Sequence, residues 1–296
     1  MANSKKIGES ELILNPDGTI YHLHIAPENV ADTVILVGDP GRVETISSYF
    51  DKVEFKAQNR EIKTHTGVLN KVRLTVMSTG MGADNIDIVL NELDALANIN
   101  FETRTVKEKF RSLRLIRLGT SGGLQPDIPL NAFIVSEYAL GLDGVLHFYD
   151  YPFSEDEMSL SEAFARFAGW HKNLSLPYAI KPKGDLINKF GDDLFFKGIT
   201  LTAPGFYGPQ GRQLRLPLTL PGLNDKLRHF DFKGKRILNY EMETSALYGL
   251  GNMLGHQTLT VCVAIANRNR KEYNQNYKEA IHSLIAILLE KLTASK

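Results

Sequence analysis

Two apolar stretches run straight into glycine-rich turns beside an arginine: VILVGDPGR from Val34 to Arg42, and LIRLGTSGG from Leu115 to Gly123. Such turns leave backbone N–H groups open with no Cβ in the way, and the guanidinium groups of Arg42 and Arg117 add planar forks that grip oxyanions. The chemistry expected is phosphate binding. Neither G-x-x-x-x-G-K-[ST] nor G-x-G-x-x-G occurs in the chain, so this phosphate is free or part of a substrate rather than a nucleotide tail. Gly-Asp-Pro-Gly is also a sound β-turn, which leaves a purely structural reading beside the functional one.

A second group of residues suits a sugar. Glu241 and Glu243 lie two apart in NYEMETSALYGLG (Asn239 to Gly251), so they share a face on a strand and diverge on a helix. Met242, Ala246, Leu250 and Met253 fall near helical spacing, and the acidic pair could simply favour a helix N-terminus. Alternatively, carboxylates beside an apolar strand could accept from sugar hydroxyls. A third group suits a planar heterocycle. TAPGFYGPQGRQ (Thr202 to Gln213) sets Phe206 and Tyr207 beside Gln210 and Arg212. An aromatic face stacks on a base, a Gln amide both donates and accepts, and an Arg only donates. An ordered surface turn is the plain alternative.

These residues need strands to carry them. Apolar, strand-like runs occur at 33–37, 72–78, 113–118, 132–136, 198–203 and 259–266, several uninterrupted, as in strands buried on both faces. Helical patterns lie between them at 42–50, 83–98, 242–254 and 276–292, an α/β alternation about a central sheet. A charged helical extension is expected at 100–111 and an irregular surface excursion or subunit contact at 150–197. No linker divides the chain, so residues 1–296 are expected to form one domain behind a polar extension at 1–20. Lys plus Arg and Asp plus Glu number 34 each, so no whole-molecule field points to nucleic acid or an anionic membrane. The single cysteine, Cys262, sits in an apolar run and fits a reducing compartment. With no apolar signal core and no stretch of about 18 apolar residues, a cytoplasmic protein is expected.

Taken together these residues resemble the nucleoside phosphorylase superfamily, and most closely its uridine phosphorylases, from about Tyr21 to the carboxyl end. The motifs that carry the resemblance are GDPGR (Gly38–Arg42), RLGTSGG (Arg117–Gly123), YHL (Tyr21–Leu23), NRE (Asn59–Glu61), LDGVLHF (Leu142–Phe148), FYGPQGR (Phe206–Arg212), NYEMET (Asn239–Thr244) and IANR (Ile265–Arg268).

The resemblance implies a three-layer α/β/α fold with a central mixed, partly barrel-like sheet, and phosphorolysis of uridine to uracil and ribose 1-phosphate. It implies that Gly38, Arg42, Arg117 and Thr120 hold phosphate, with Arg60 arriving from a neighbouring subunit. Met242 and Glu243 would hold the ribose, joined by the neighbour's counterpart of His22. Phe206, Gln210, Arg212 and Ile265 would form the base site, with Gln210 accepting from the uracil N3–H and Arg212 donating to a carbonyl oxygen. Arg212, Gln210 and Glu243 are the residues on which catalysis would rest. Arg268 would support Gln210 from behind, and Glu241 lies beside the site. His24 and His65 match nothing. Glu61 and Ser78 fall near a monovalent-cation site of some relatives, but neither metal nor cofactor is expected beyond phosphate as co-substrate. A homodimer at least would be the working form, with a hexamer, as a trimer of dimers, left open by the sequence. Purine-type relatives carry an aspartate after the last core strand, where this chain reads AIANRNR (Ala264–Arg270). The tripeptide before Phe206 (Ala203-Pro204-Gly205) and the long 150–197 region depart from the family pattern. A purine nucleoside phosphorylase, a nucleosidase and a non-catalytic nucleoside-binding protein are the rival readings.

Overall fold

Strand β1 (Thr33–Val37) shows why the sequence runs apolar without alternating. Val34 and Leu36 pack into one apolar cluster and Ile35 and Val37 into another, on opposite faces of the sheet, and all four are fully buried. The computed structural model describes residues 5–294; residues 1–4 of the polar extension lie outside the described residues.

The remaining strands among the described residues are β2 (Lys52–Asn59), β3 (Ile62–Leu69), β4 (Val72–Ser78), β5 (Ile99–Asn100), β6 (Thr105–Val106), β7 (Arg114–Gly123), β8 (Phe133–Gly141), β9 (Tyr178–Ile180), β10 (Phe195–Thr202), β11 (Asp231–Phe232), β12 (Lys235–Glu241), β13 (Gln257–Asn267) and β14 (Glu272–Tyr273). The helices are α1 (Pro40–Ser47), α2 (Ala83–Asn98), α3 (Glu155–Ala168), α4 (Leu223–Leu227), α5 (Thr244–Met253) and α6 (Lys278–Thr293). Helices α2 and α5 cover one face of β1 and helices α1 and α6 the other, which gives the three expected layers. None of the described helices is long and apolar enough to cross a membrane.

Strand β1 pairs in parallel with β4 and β7, and β7 in parallel with β13. Strand β13 then meets β8 antiparallel, and β8, β10 and β12 continue in parallel. Finally β12 returns to β7 antiparallel, with Asn239 opposite Gly123 and Tyr240 opposite Gly122. Five strands therefore close a ring, while β4, β3 and β2 extend the sheet beyond β1. This is the mixed, partly barrel-like sheet expected.

Two segments differ from their sequence patterns. Residues 100–111 form no helix. The Asn100 side chain accepts from the N–H groups of Glu102 and Thr103, Arg104 takes φ +58°, and the chain folds into the β5–β6 ribbon instead. Residues 150–197 are not an irregular excursion. Ser154 and Glu157 cap helix α3 reciprocally, β9 joins the sheet against β8, and Leu160, Phe164, Tyr178 and Phe190 are buried.

Candidate active site

The ends of β1, β4, β7, β12 and β13 surround one cavity of about 940 Å³, a size suited to a small organic ligand. Gly38 follows β1 and lines the cavity; Asp39 then caps α1 by accepting from the Gly41 N–H at 2.9 Å, which starts the helix and carries Arg42 inward. The Arg42 guanidinium donates to the Leu118 carbonyl at 3.4 Å. Burial, and then the charge of Arg117, lower its pKa. Arg117 and Thr120 reach the same cavity from β7.

Arg117 is nearly fully buried and serves two carboxylates. It donates to Glu243, and its Nη1 lies 3.6 Å from a Glu241 oxygen. Burial opposes the charge, but Glu243 and Glu241 outweigh it and hold the guanidinium pKa above its ordinary range. Glu243 also accepts from the Gly82 N–H, at 2.7 Å, where Gly82 caps α2. Burial raises the Glu243 carboxyl against the pull of Arg117, and Glu241 adds to the rise. Glu241 ends β12 and is spent on structure, accepting from the N–H groups of Glu243 and Thr244 and from the Thr202 hydroxyl. The acidic pair is thus divided between two tasks. Glu241 caps α5, Glu243 faces the cavity, and Met242 between them lines it.

The aromatic loop leaves β10, makes a single 3₁₀ turn at Gly208–Gln210 and reverses at Gly211, whose φ is +70°. A Cβ at Gly211 would come within 2.6 Å of Asn224 Nδ2, so both its φ and its packing favour glycine. The reversal buries Gln210 at 3 % exposure and lays Arg212 over the Phe206 ring, 3.5 Å from its centroid. Gln210 Oε1 accepts from Arg212 at 2.7 Å and from Arg268 at 2.8 Å. Burial, then the charge of Arg268, lower the Arg212 pKa to about 10, and burial lowers that of Arg268. Arg268 therefore backs Gln210 as the resemblance implies, but it holds the oxygen that was expected to receive a base N–H. Phe206, half exposed, and Ile265 complete this wall.

His22 and Arg60 do not reach the cavity of their own chain. His22 Nδ1 pairs with Glu92 at 2.6 Å, and Arg60 is exposed with φ +52° at the β2–β3 turn. The two lie close together, since Asn59 Nδ2 donates to the His22 carbonyl at 2.9 Å. His65 is buried against Ser47 at 2.7 Å and His24 pairs at the surface with Asp17 at 2.9 Å. Glu61 lines the cavity, while the Ser78 hydroxyl is engaged with the Glu61 carbonyl and the Lys63 N–H. No cluster of three or more metal-ligating side chains occurs among the described residues.

Sequence reasoning missed Met81, Ser121, Tyr240, Lys271 and Tyr273, all of which line the cavity. For Met81 a signal existed. The run TVMSTGMG (Thr75–Gly82) is a third apolar strand entering a glycine turn, and its Gly82 N–H is the one that holds Glu243. Ser121 and Tyr240 lay inside motifs already quoted, RLGTSGG and NYEMET, but neither side chain stood out from its neighbours there.

A family model described as the phosphorylase superfamily matches residues 32–293. A uridine phosphorylase of Thermococcus kodakarensis is 31% identical over 280 residues, covering 92% of this chain and 86% of that protein. The uridine phosphorylase of Escherichia coli is 27% identical over 261 residues, covering 86% and 88%. Among solved structures, a Trypanosoma brucei nucleoside phosphorylase, described as showing uridine phosphorylase activity, superposes with a TM-score of 0.87 at 31% identity, covering 96% of this chain and all of that one. Toxoplasma gondii purine nucleoside phosphorylase, at 21% identity and a TM-score of 0.63, shares the fold. Arginines at the ends of β-strands around one cavity and a match spanning nearly the whole sheet lead to one conclusion: the chain belongs to the phosphorylase superfamily.

Proposed function

We propose that this protein catalyses the phosphorolysis of uridine to uracil and ribose 1-phosphate. The observation that carries the reading is the pairing, in one cavity, of two basic groups with different partners. Arg42 and Arg117 stand with Gly38 and Thr120, and Arg212 and Arg268 converge on Gln210 beside Phe206. Glu243 and Met242 line the same space and suit the ribose. The similarity to uridine phosphorylases supports the choice of base.

In this mechanism the protein supplies no nucleophile. Phosphate held by Arg42, Arg117, Gly38 and Thr120 attacks C1′ as the bond to N1 lengthens and the sugar gains oxocarbenium character, which the phosphate charge itself stabilises. Glu243 accepts from ribose hydroxyls and keeps the two partners in line. Negative charge develops on uracil, and donors fixed at its carbonyls bind that anion better than the neutral nucleoside. Loss of one such donor costs about 10²–10³-fold in rate.

The cavity of one chain holds neither His22 nor Arg60, so in this reading a second subunit supplies them and the working form is at least a dimer. Phosphate is co-substrate, no cofactor takes part, and the enzyme serves pyrimidine salvage in the cytoplasm as a single-domain unit. Release of free base from uridine, thymidine, inosine and adenosine, each with and without phosphate, tests the reading. Uracil released only with phosphate is the expected result. Release without phosphate makes the protein a nucleosidase, purine release moves the base assignment, and no release at all leaves a binding protein.

A further inference from the structure

We propose that Glu92 is a positioning residue that fixes His22 as a hydrogen-bond acceptor at Nε2, so that the subunit receiving His22 selects a sugar carrying a donor on its 5′ carbon. This rests on the proposed nucleoside site and on the sharing of His22 between subunits, and it specifies what the shared group recognises. Glu92 lies within α2, and its carboxylate takes three hydrogens from one short stretch of chain. The His22 N–H, at 3.0 Å, and the Leu23 N–H, at 2.8 Å, converge on Oε2, while the His22 ring Nδ1 lies 2.6 Å from Oε1, to which the His22 N–H also leans at 3.1 Å. From the other side Asn59 Nδ2 donates to the His22 carbonyl at 2.9 Å, and Leu23 is buried in the core beside it. Backbone and ring are thus both held, and among the described residues no hydrogen bond reaches Nε2.

A carboxylate only accepts, so Nδ1 carries the proton, and in the neutral imidazole Nε2 then holds the lone pair. The two backbone bonds alone would secure the turn; the third is the one that selects the tautomer. Glu243 is set toward the ribose from within the same chain, whereas the 5′ group stands on a carbon outside the ring and extends toward whatever a second subunit brings. With an acceptor in front and a carboxylate behind it, the group that fits best there is a donor, and a cationic donor above all. Glutamine at position 92 would reverse this at almost unchanged shape. Its amide oxygen would face the two backbone N–H groups, since an NH₂ there would set donor against donors. The NH₂ would then face Nδ1, which would have to accept, and Nε2 would become the donor.

Phosphorolysis of uridine, 5′-deoxyuridine and 5′-amino-5′-deoxyuridine at pH 7 by the intact parent protein, Glu92→Gln and His22→Ala tests this, with unfolding midpoints taken alongside. The quantity read is the kcat/KM ratio of the amino compound, an ammonium at that pH, to the deoxy compound. Arg60, one residue beyond Asn59, is present in every variant, so its charge cancels from the comparison. The parent is expected to favour the amino compound about 10–100-fold, and Glu92→Gln to lose that preference. His22→Ala should level the ratio, and adding Glu92→Gln to it should change the ratio no further. If Glu92 serves only to hold the turn, Glu92→Gln lowers the midpoint and slows all three substrates alike, and the unchanged ratio overturns the inference. A parent indifferent to the amino group, or a ratio unmoved in His22→Ala, overturns it as well, whether or not Glu92→Gln folds. A parent that leaves uridine intact overturns the nucleoside reading and this inference with it.

Discussion

Arg117 and Arg42 stand in the same cavity but have different duties. Arg117 is the counter-ion of two buried carboxylates, whereas Arg42 is half-buried and leans on a single carbonyl. Removing one member of a buried ion pair strands the other and costs about 3–5 kcal/mol. Arg117→Met is therefore expected to lower the thermal unfolding midpoint sharply, and its effect on activity will be mixed with its effect on folding. Arg42→Met is expected to hold its unfolding midpoint near that of the parent while raising the KM for phosphate about 10–100-fold, the value of one charged hydrogen bond. Calorimetric scanning beside phosphate kinetics separates the two; equal destabilisation in both variants would defeat the distinction. The residue types were legible in the sequence. The sharing of one guanidinium by Glu241 and Glu243 was not, because it depends on how β12 ends and where α5 begins.

At the scale of elements, helix α5 is held close to the 3₁₀ turn Val145–Phe148 by glycine. Gly249 packs against Leu146, in the 3₁₀ turn Val145–Phe148, and a Cβ at position 249 would lie 2.1 Å from a Leu146 methyl that is itself fully buried. Alanine is the better helix former by about 1 kcal/mol, but overpacking a filled core costs about 1–3 kcal/mol. Gly249→Ala is thus expected to destabilise by up to about 2 kcal/mol, measured by denaturant midpoint; a stabilised variant would mean that α5 and the turn move apart freely. Strands buried on both faces were legible as unbroken apolar runs, and α2 matched its pattern at both ends. Strands β2 and β3 escaped notice, and so did β12. The residues of β2 alternate between charged and apolar along a half-exposed strand, and β12 shows only a short apolar core inside a polar segment. The helix expected at 100–111 failed because periodicity says nothing about a local side chain that captures the backbone, as Asn100 does.

For the whole molecule, the sharpest expectation concerns sharing between subunits. Asn59, the residue before Arg60, holds the His22 carbonyl, and neither His22 nor Arg60 lines the cavity of its own chain. In a two-fold dimer a mixed pair of Arg60→Ala and Arg212→Ala subunits regains one intact site of its two. Random reassembly of the two inactive variants in equal amounts should then restore about a quarter of the parent activity, since about half of the dimers are mixed. Assay after unfolding and refolding the mixture together checks it, and no recovery would assign Arg60 to its own chain or to no site at all.

The return of β12 onto β7 has one more consequence. The cavity is walled by the ends of strands of one sheet that closes on itself, not by a cleft between two lobes. Traffic through the mouth falls to the chain segments that stand above the strand ends. These are the Phe206–Gly222 strap, with Leu214 and Leu216 reaching into solvent, and the Arg268–Tyr273 hairpin. Arg117 therefore stands on a strand of the closed ring, whereas Phe206 and Arg212 stand on the strap, so the two ends of the cavity rest on supports of different kinds.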